Sequence, residues 1–99
     1  MSAYPPSYYD NINGRLRSVL ILVADSLPDD TVEFVTEELD AMELGLSLET
    51  IVEVLVESGD PVEPTIVAEL SDLATVMKMD IDVRAALAGS QRGASPSSD

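Results

Sequence analysis

Ser47–Leu48–Glu49–Thr50–Ile51–Val52–Glu53–Val54–Leu55–Val56–Glu57–Ser58–Gly59 is the stretch on which the fold turns. Its apolar residues Leu48, Ile51, Val52, Leu55 and Val56 recur at spacings of three and four, the stripe of an α-helix with one buried face. Glu49, Glu53 and Glu57 fall at i, i+4 and i+8, a straight acidic ridge. Gly45 interrupts the pattern ahead of it, so Ser47 is the expected N-cap. Gly59 stands where a left-handed C-terminal cap belongs, and Pro61 confirms the stop.

The neighbouring segments repeat this pattern. Upstream, Leu27–Pro28–Asp29–Asp30 reads as a helix start in which Asp29 or Asp30 caps free amide groups and suits the positive end of the helix dipole. Val32, Val35, Leu39 and Met42 then form one face, and Glu33, Glu37 and Asp40 line the opposite side. Before it, residues 8–26 place Ile12, Leu16, Val19, Leu20 and Val23 on one helical face, although the β-branched run 19–23 leaves a short buried strand open. Downstream, Pro64 opens a fourth helix where a missing N–H does no harm. Its apolar face is Ile66, Val67, Leu70, Leu73, Ala74 and Met77.

Short connections make neighbouring helices antiparallel. The expected fold is therefore all-α: a small antiparallel bundle of about four helices with a short C-terminal turn over residues 81–88. Residues 1–7, with Pro5 and Pro6, read as a flexible N-terminal arm, and 8–88 as the acidic helical bundle. The Ser/Gly/Pro-rich segment 89–99 reads as a disordered tail.

Ninety-nine residues allow one domain. An apolar fraction of 45% places the chain with globular proteins despite a net charge of −14. The charge is distributed unevenly. From Ser18 to Val83 a single cation, Lys78, faces seventeen carboxylates. The acid is thus the surface of the folded part, not an appended tail. Such a surface repels itself and disfavours nucleic acid, but it suits rapid encounter with a basic partner.

The chain has no cysteine and no histidine. Disulfides, thiolate chemistry, zinc sites and histidine-based triads are excluded. Arg15 and Arg17 followed by 19–24 form too short an apolar run for a signal peptide, and no segment reaches the roughly 20 apolar residues of a membrane span. The expected compartment is the cytoplasm. No calcium-loop spacing occurs, since Asp80 and Asp82 stand as a lone pair, so no metal or other cofactor is expected. Carboxylates without a nucleophile or oxyanion donor do not make a catalytic site, and no enzyme activity is expected.

Asp25–Ser26–Leu27 is similar to the triplet by which acyl and peptidyl carrier proteins present a serine for a phosphopantetheine arm. That resemblance makes Ser26 the modified residue in an alternative reading. Here, however, Pro28 and Asp29 separate the triplet from the next helix, whereas the carrier motif runs straight into it. A further alternative is an acidic regulator that mimics nucleic acid.

Glu43–Leu44–Gly45–Leu46–Ser47–Leu48–Glu49, followed by Leu55–Val56–Glu57 and by Leu73–Ala74–Thr75–Val76–Met77, resembles the MafI family of immunity proteins. The likeness covers residues 30–80. It departs from the family at Ser47 and Val56, where members often carry alanine and an aromatic residue. The resemblance implies a small acidic helical protein that binds and neutralises the toxic C-terminal domain of a cognate polymorphic toxin, as a monomer or a 1:1 heterodimer with that toxin. Together with the charge pattern, it points to Glu33, Glu37, Asp40, Glu43, Glu49, Glu53, Glu57 and Asp60 as residues facing a basic toxin surface, with no direct contact to nucleic acid or membrane.

Overall fold

A computed structural model describes residues 6–93, with side chains from 7 to 88. Five α-helices follow one another, α1 (Pro6–Val23), α2 (Asp29–Asp40), α3 (Leu44–Ser58), α4 (Pro64–Val76) and α5 (Val83–Gly93), with a 3-10 turn at Ala24–Ser26. No strand occurs among the described residues. The run 19–23 is helical, because Val19, Leu20 and Val23 all turn into the core at helical spacing. The all-α bundle is as the periodicity predicts, with a larger C-terminal element. The expected turn is a full helix that runs past residue 88. The arm is shorter than expected at its inner end, since Pro6 and Ser7 belong to α1. Residues 1–5 and 94–99 lie outside the described residues.

α3 is the hub and packs against each of the other four helices. The centre is aliphatic: Leu16, Val35, Leu39, Leu48, Ile51, Leu70 and Leu73 are fully buried, with Val83 and Leu87 bringing α5 onto the same core. Polar contacts fix the directions. The Tyr8 hydroxyl donates to the Val76 carbonyl at 2.9 Å, and Arg15 reaches Glu69 and Asp72, so α1 runs antiparallel to α4. Asn13, itself buried, donates to the Leu39 carbonyl at 2.8 Å and ties α1 to the C-terminal end of α2.

Helix ends differ from expectation in two places. Pro28 is the N-cap of α2, and no side chain caps that end. Asp29 and Asp30 sit inside the first turn and act there through the helix dipole. In α3 the helix starts early, with Glu43 as N-cap, because buried Leu44 and Leu48 one turn apart draw the first turn onto the core. Ser47 is consequently not a cap. It is fully buried, and its hydroxyl donates back to the Glu43 carbonyl at 2.9 Å.

Gly59 closes α3 at φ +73, and Pro64 opens α4 as its first residue, both as the sequence predicts. α2 and α4 instead close on non-glycine residues in the left-handed region, Met42 (φ 59) and Lys78 (φ 58). The amide of Glu43 bonds the Glu38 carbonyl and that of Met42 the Leu39 carbonyl, a Schellman arrangement that Met79 and Lys78 repeat on Ala74 and Thr75. Met42 therefore leaves the apolar face expected of it and is 46% exposed.

Arg15 holds Glu69 through two hydrogen bonds of 2.7 Å and Asp72 through a third of 2.8 Å. The guanidinium keeps Glu69 below the usual carboxylate range. Bidentate geometry and partial shielding lift this pair above an ordinary surface ion pair. Arg15→Ala should cost about 1–2 kcal/mol in urea denaturation, and Arg15→Lys should recover only part of it because the fork is lost. A loss below about 0.3 kcal/mol would mean that α1 and α4 are held by their apolar contacts alone.

Candidate functional site

The outer face of the α2–α3 hairpin carries the acid. Helical spacing puts Glu33, Glu37 and Asp40 on the side of α2 opposite Val35 and Leu39, and Glu49 and Glu53 on the side of α3 opposite Ile51 and Leu55. All are exposed, as are Glu43 and Glu57. Among the described residues, Glu33, Glu37, Glu43, Glu49, Glu53 and Glu57 form no ion pair. The two arginines of α1 are committed elsewhere: Arg15 to α4, and Arg17 to Asp40 at 2.7 Å.

Not all the expected residues share this face. Asp40 is partnered by Arg17, which also donates to the Asn13 side-chain oxygen at 2.6 Å, so this carboxylate belongs to the α1–α2 junction. Asp60 lies in the α3–α4 connection and lines a different hollow, with Leu22, Pro61 and Val62. Ser26 lines that same hollow. It is half-buried at the end of the 3-10 turn, and the N-cap of α2 is Pro28, two residues later.

Glu49, Glu53 and Glu57 form one wall of an open groove of about 700 Å³ between α3 and α5. Val52, Val56, Ile81 and Ala86 give it an apolar lining. Acid beside apolar surface is a chemistry that matches a basic segment with apolar side chains of its own.

The hairpin also holds a carboxylate outside the predicted set. Glu38 is only 7% exposed, and its Oε1 has no hydrogen-bond partner among the described residues. Its Oε2 lies 3.5 Å from the Thr50 hydroxyl, but that hydroxyl has a single proton and a better acceptor in the Leu46 carbonyl at 2.9 Å. Burial pushes the Glu38 carboxyl above its ordinary value; the Thr50 hydroxyl opposes that shift in part, and the nearby charges of Glu43 and Glu49 add to it. The sequence does hold a signal for it. Glu38 follows Val35 by three residues and precedes Leu39 by one, which places it on the flank of the apolar stripe.

Large apolar side chains are also exposed around the hairpin, Phe34 at 53% and Leu46 at 51%, and on α1 Ile21 and Leu22. No group of three or more His, Cys, Asp or Glu side chains arranged to hold a metal occurs among the described residues, and none of their helices is long and apolar enough to cross a membrane. No family model, curated protein or solved structure matches this chain.

Proposed function

We propose that this protein is a binding module whose acidic α2–α3 face docks on a basic protein surface, and that the partner is the toxic C-terminal domain of a cognate polymorphic toxin. The observation that carries the docking reading is the row of exposed, unpaired carboxylates at Glu33, Glu37, Glu49, Glu53 and Glu57. Like charges four apart on a helix cost a few tenths of a kcal/mol per pair, and no lysine is interspersed to relieve them. A surface that only had to stay soluble would tolerate such lysines. A surface built for rapid encounter with a cationic partner would exclude them.

The toxin-directed part of the reading rests on the likeness of residues 43–49, 55–57 and 73–77 to MafI immunity proteins. An acidic cover over a basic substrate groove would block a toxin in the cytoplasm of the cell that makes both. It would need neither a cofactor nor a catalytic group of its own.

Neutralising Glu49, Glu53 and Glu57 together to Gln tests it. The three side chains point away from the core, so the variant should fold. Association with a cognate toxin domain should slow by about an order of magnitude and lose much of its salt dependence. Cells co-expressing that domain should lose protection. A folded triple variant that binds and protects like wild type, together with an equally silent Glu33/Glu37→Gln pair, would reduce these ridges to solvated faces.

A further inference from the structure

Between the two acidic ridges runs a seam. Phe34 and Glu38 stand one turn apart on the flank of α2 turned toward α3, and Leu46, Thr50 and Val54 stack at i, i+4 and i+8 on the facing flank of α3. The contact between Thr50 and Glu38 joins the two rows. Phe34 and Leu46, both about half exposed, rise beside a carboxylate that is more than nine-tenths buried and has one oxygen with no donor.

In the isolated chain that arrangement only costs stability. A buried acceptor without a donor forfeits its hydration and gains nothing in return. Gln at this position would carry no charge, and Leu would pack. The acid makes sense as half of a contact that another molecule completes. The missing half must donate hydrogen bonds, carry positive charge and tolerate desolvation, which describes guanidinium better than ammonium. Glu43 and Glu49 deepen the negative potential at the same spot. Exposed apolar side chains around a shielded polar centre are also how the strongest anchors of protein interfaces are built.

We propose that the α2–α3 seam is the anchor of the docking face, receiving an arginine of a basic protein partner at Glu38 and that arginine's apolar neighbour between Phe34 and Leu46. The inference rests on the docking reading above and narrows it to one point of contact. A change of Glu38 rotamer would bring its carboxylate to the guanidinium. Binding requires the ionised carboxylate. The free protein holds that proton more tightly than an ordinary carboxyl does, so affinity should fall early as pH drops from neutrality. The charges facing Glu38 are Glu43 in the turn and Glu49 on α3. On the α1 side of α2, Arg17 is engaged by Asp40 and Asn13.

The test uses the full chain, isotope-labelled for amide NMR, and two fluorescent decapeptides of equal charge, one alternating Arg and Leu and the other alternating Lys and Ser. The Arg–Leu peptide should bind about tenfold tighter and shift the amides of Phe34, Glu38, Leu46 and Thr50. Glu38→Gln, which removes a buried charge and so should fold, must erase that advantage while leaving the Lys–Ser affinity unchanged. Leu46→Ala should do the same. The wild-type chain's Arg–Leu affinity should also weaken as pH falls from about 7 toward the ordinary Glu range, whereas that of Glu38→Gln should not. Equal binding of both peptides with shifts confined to the Glu49–Glu57 ridge would overturn the seam and leave the docking face standing. Shifts centred on Ile21 and Leu22, or wild-type Arg–Leu affinity in Glu38→Gln, would also overturn it. If neither peptide binds at low salt, the docking reading fails and the seam with it.

Discussion

Alanine in place of Leu70 should remove about 3 kcal/mol of stability, a large part of the roughly 5–10 kcal/mol such a domain has. Leu70 is fully buried at the middle of α4, in a core whose fully buried members among the described residues are all aliphatic. Of the chain's four aromatic residues, Phe34 is exposed, Tyr8 and Tyr9 are only half-buried, and Tyr4 lies outside the described residues. The surrounding aliphatic side chains are already closely packed, so transfer and cavity costs both fall on the fold. Leu70→Met keeps the volume and should cost less than about 1.5 kcal/mol. Urea unfolding followed by circular dichroism measures both. A Leu70→Ala loss below about 1 kcal/mol would show that the helices close over the gap, and hence that they are not rigidly keyed.

The bundle was legible because its helices are amphipathic with marked ends. Pro64 and Gly59 lie where the backbone needs them, and the stripe Leu48–Ile51–Val52–Leu55 faces the core as its spacing requires. Misreadings arose where the usual residue is missing. A glycine after Asp40 would have announced the end of α2. With Met42 in the left-handed position instead, the apolar spacing continues through the helix end, and periodicity alone turns Met42 inward. Gly45 had the opposite effect. It suggested a break, yet it lies inside the first turn of α3, where a Cβ would meet nothing closer than Met79 at 3.9 Å and where the cost of glycine is small.

The candidate site was legible one helix at a time and not between helices. Periodicity turns Glu33, Glu37, Glu49 and Glu53 outward, and they are exposed. It cannot say that Arg17 would reach Asp40 across 23 positions, nor that Asp60 would face a different hollow. Glu38 shows the limit most clearly. A position at the edge of an apolar stripe is buried only if a neighbouring helix covers it, and that neighbour is α3.

Acidification from pH 7 to about pH 5 should raise the melting temperature at low salt, and added salt should raise it at pH 7. Two causes act together. The net charge of −14 repels itself, and protonation or screening relieves that repulsion. Glu38 adds a local contribution whose sign is fixed by its raised value: the folded chain binds this proton more tightly than the unfolded chain. The resulting stability is complete below the ordinary Glu range and is lost as pH rises through the folded-state value. Glu69 behaves oppositely. Its folded-state value is lowered by Arg15, so its contribution is present above the ordinary range and disappears as pH falls through that lowered value. The curve should therefore climb as pH falls toward the ordinary carboxylate range and turn over at still lower pH, where Glu69 takes up its proton and the Arg15–Glu69 pair is lost. Glu38→Gln separates the two causes. It should stabilise the protein at pH 7 by about 1–2 kcal/mol, which is a rise of several degrees in a domain of this size, and it should flatten the climb between pH 7 and pH 5. Its response to salt should be nearly that of wild type, because the exposed ridges are untouched. If the variant melts no higher than wild type at pH 7, Glu38 has solvent or a donor that relieves its burial, and the climb would then come from the ridges alone.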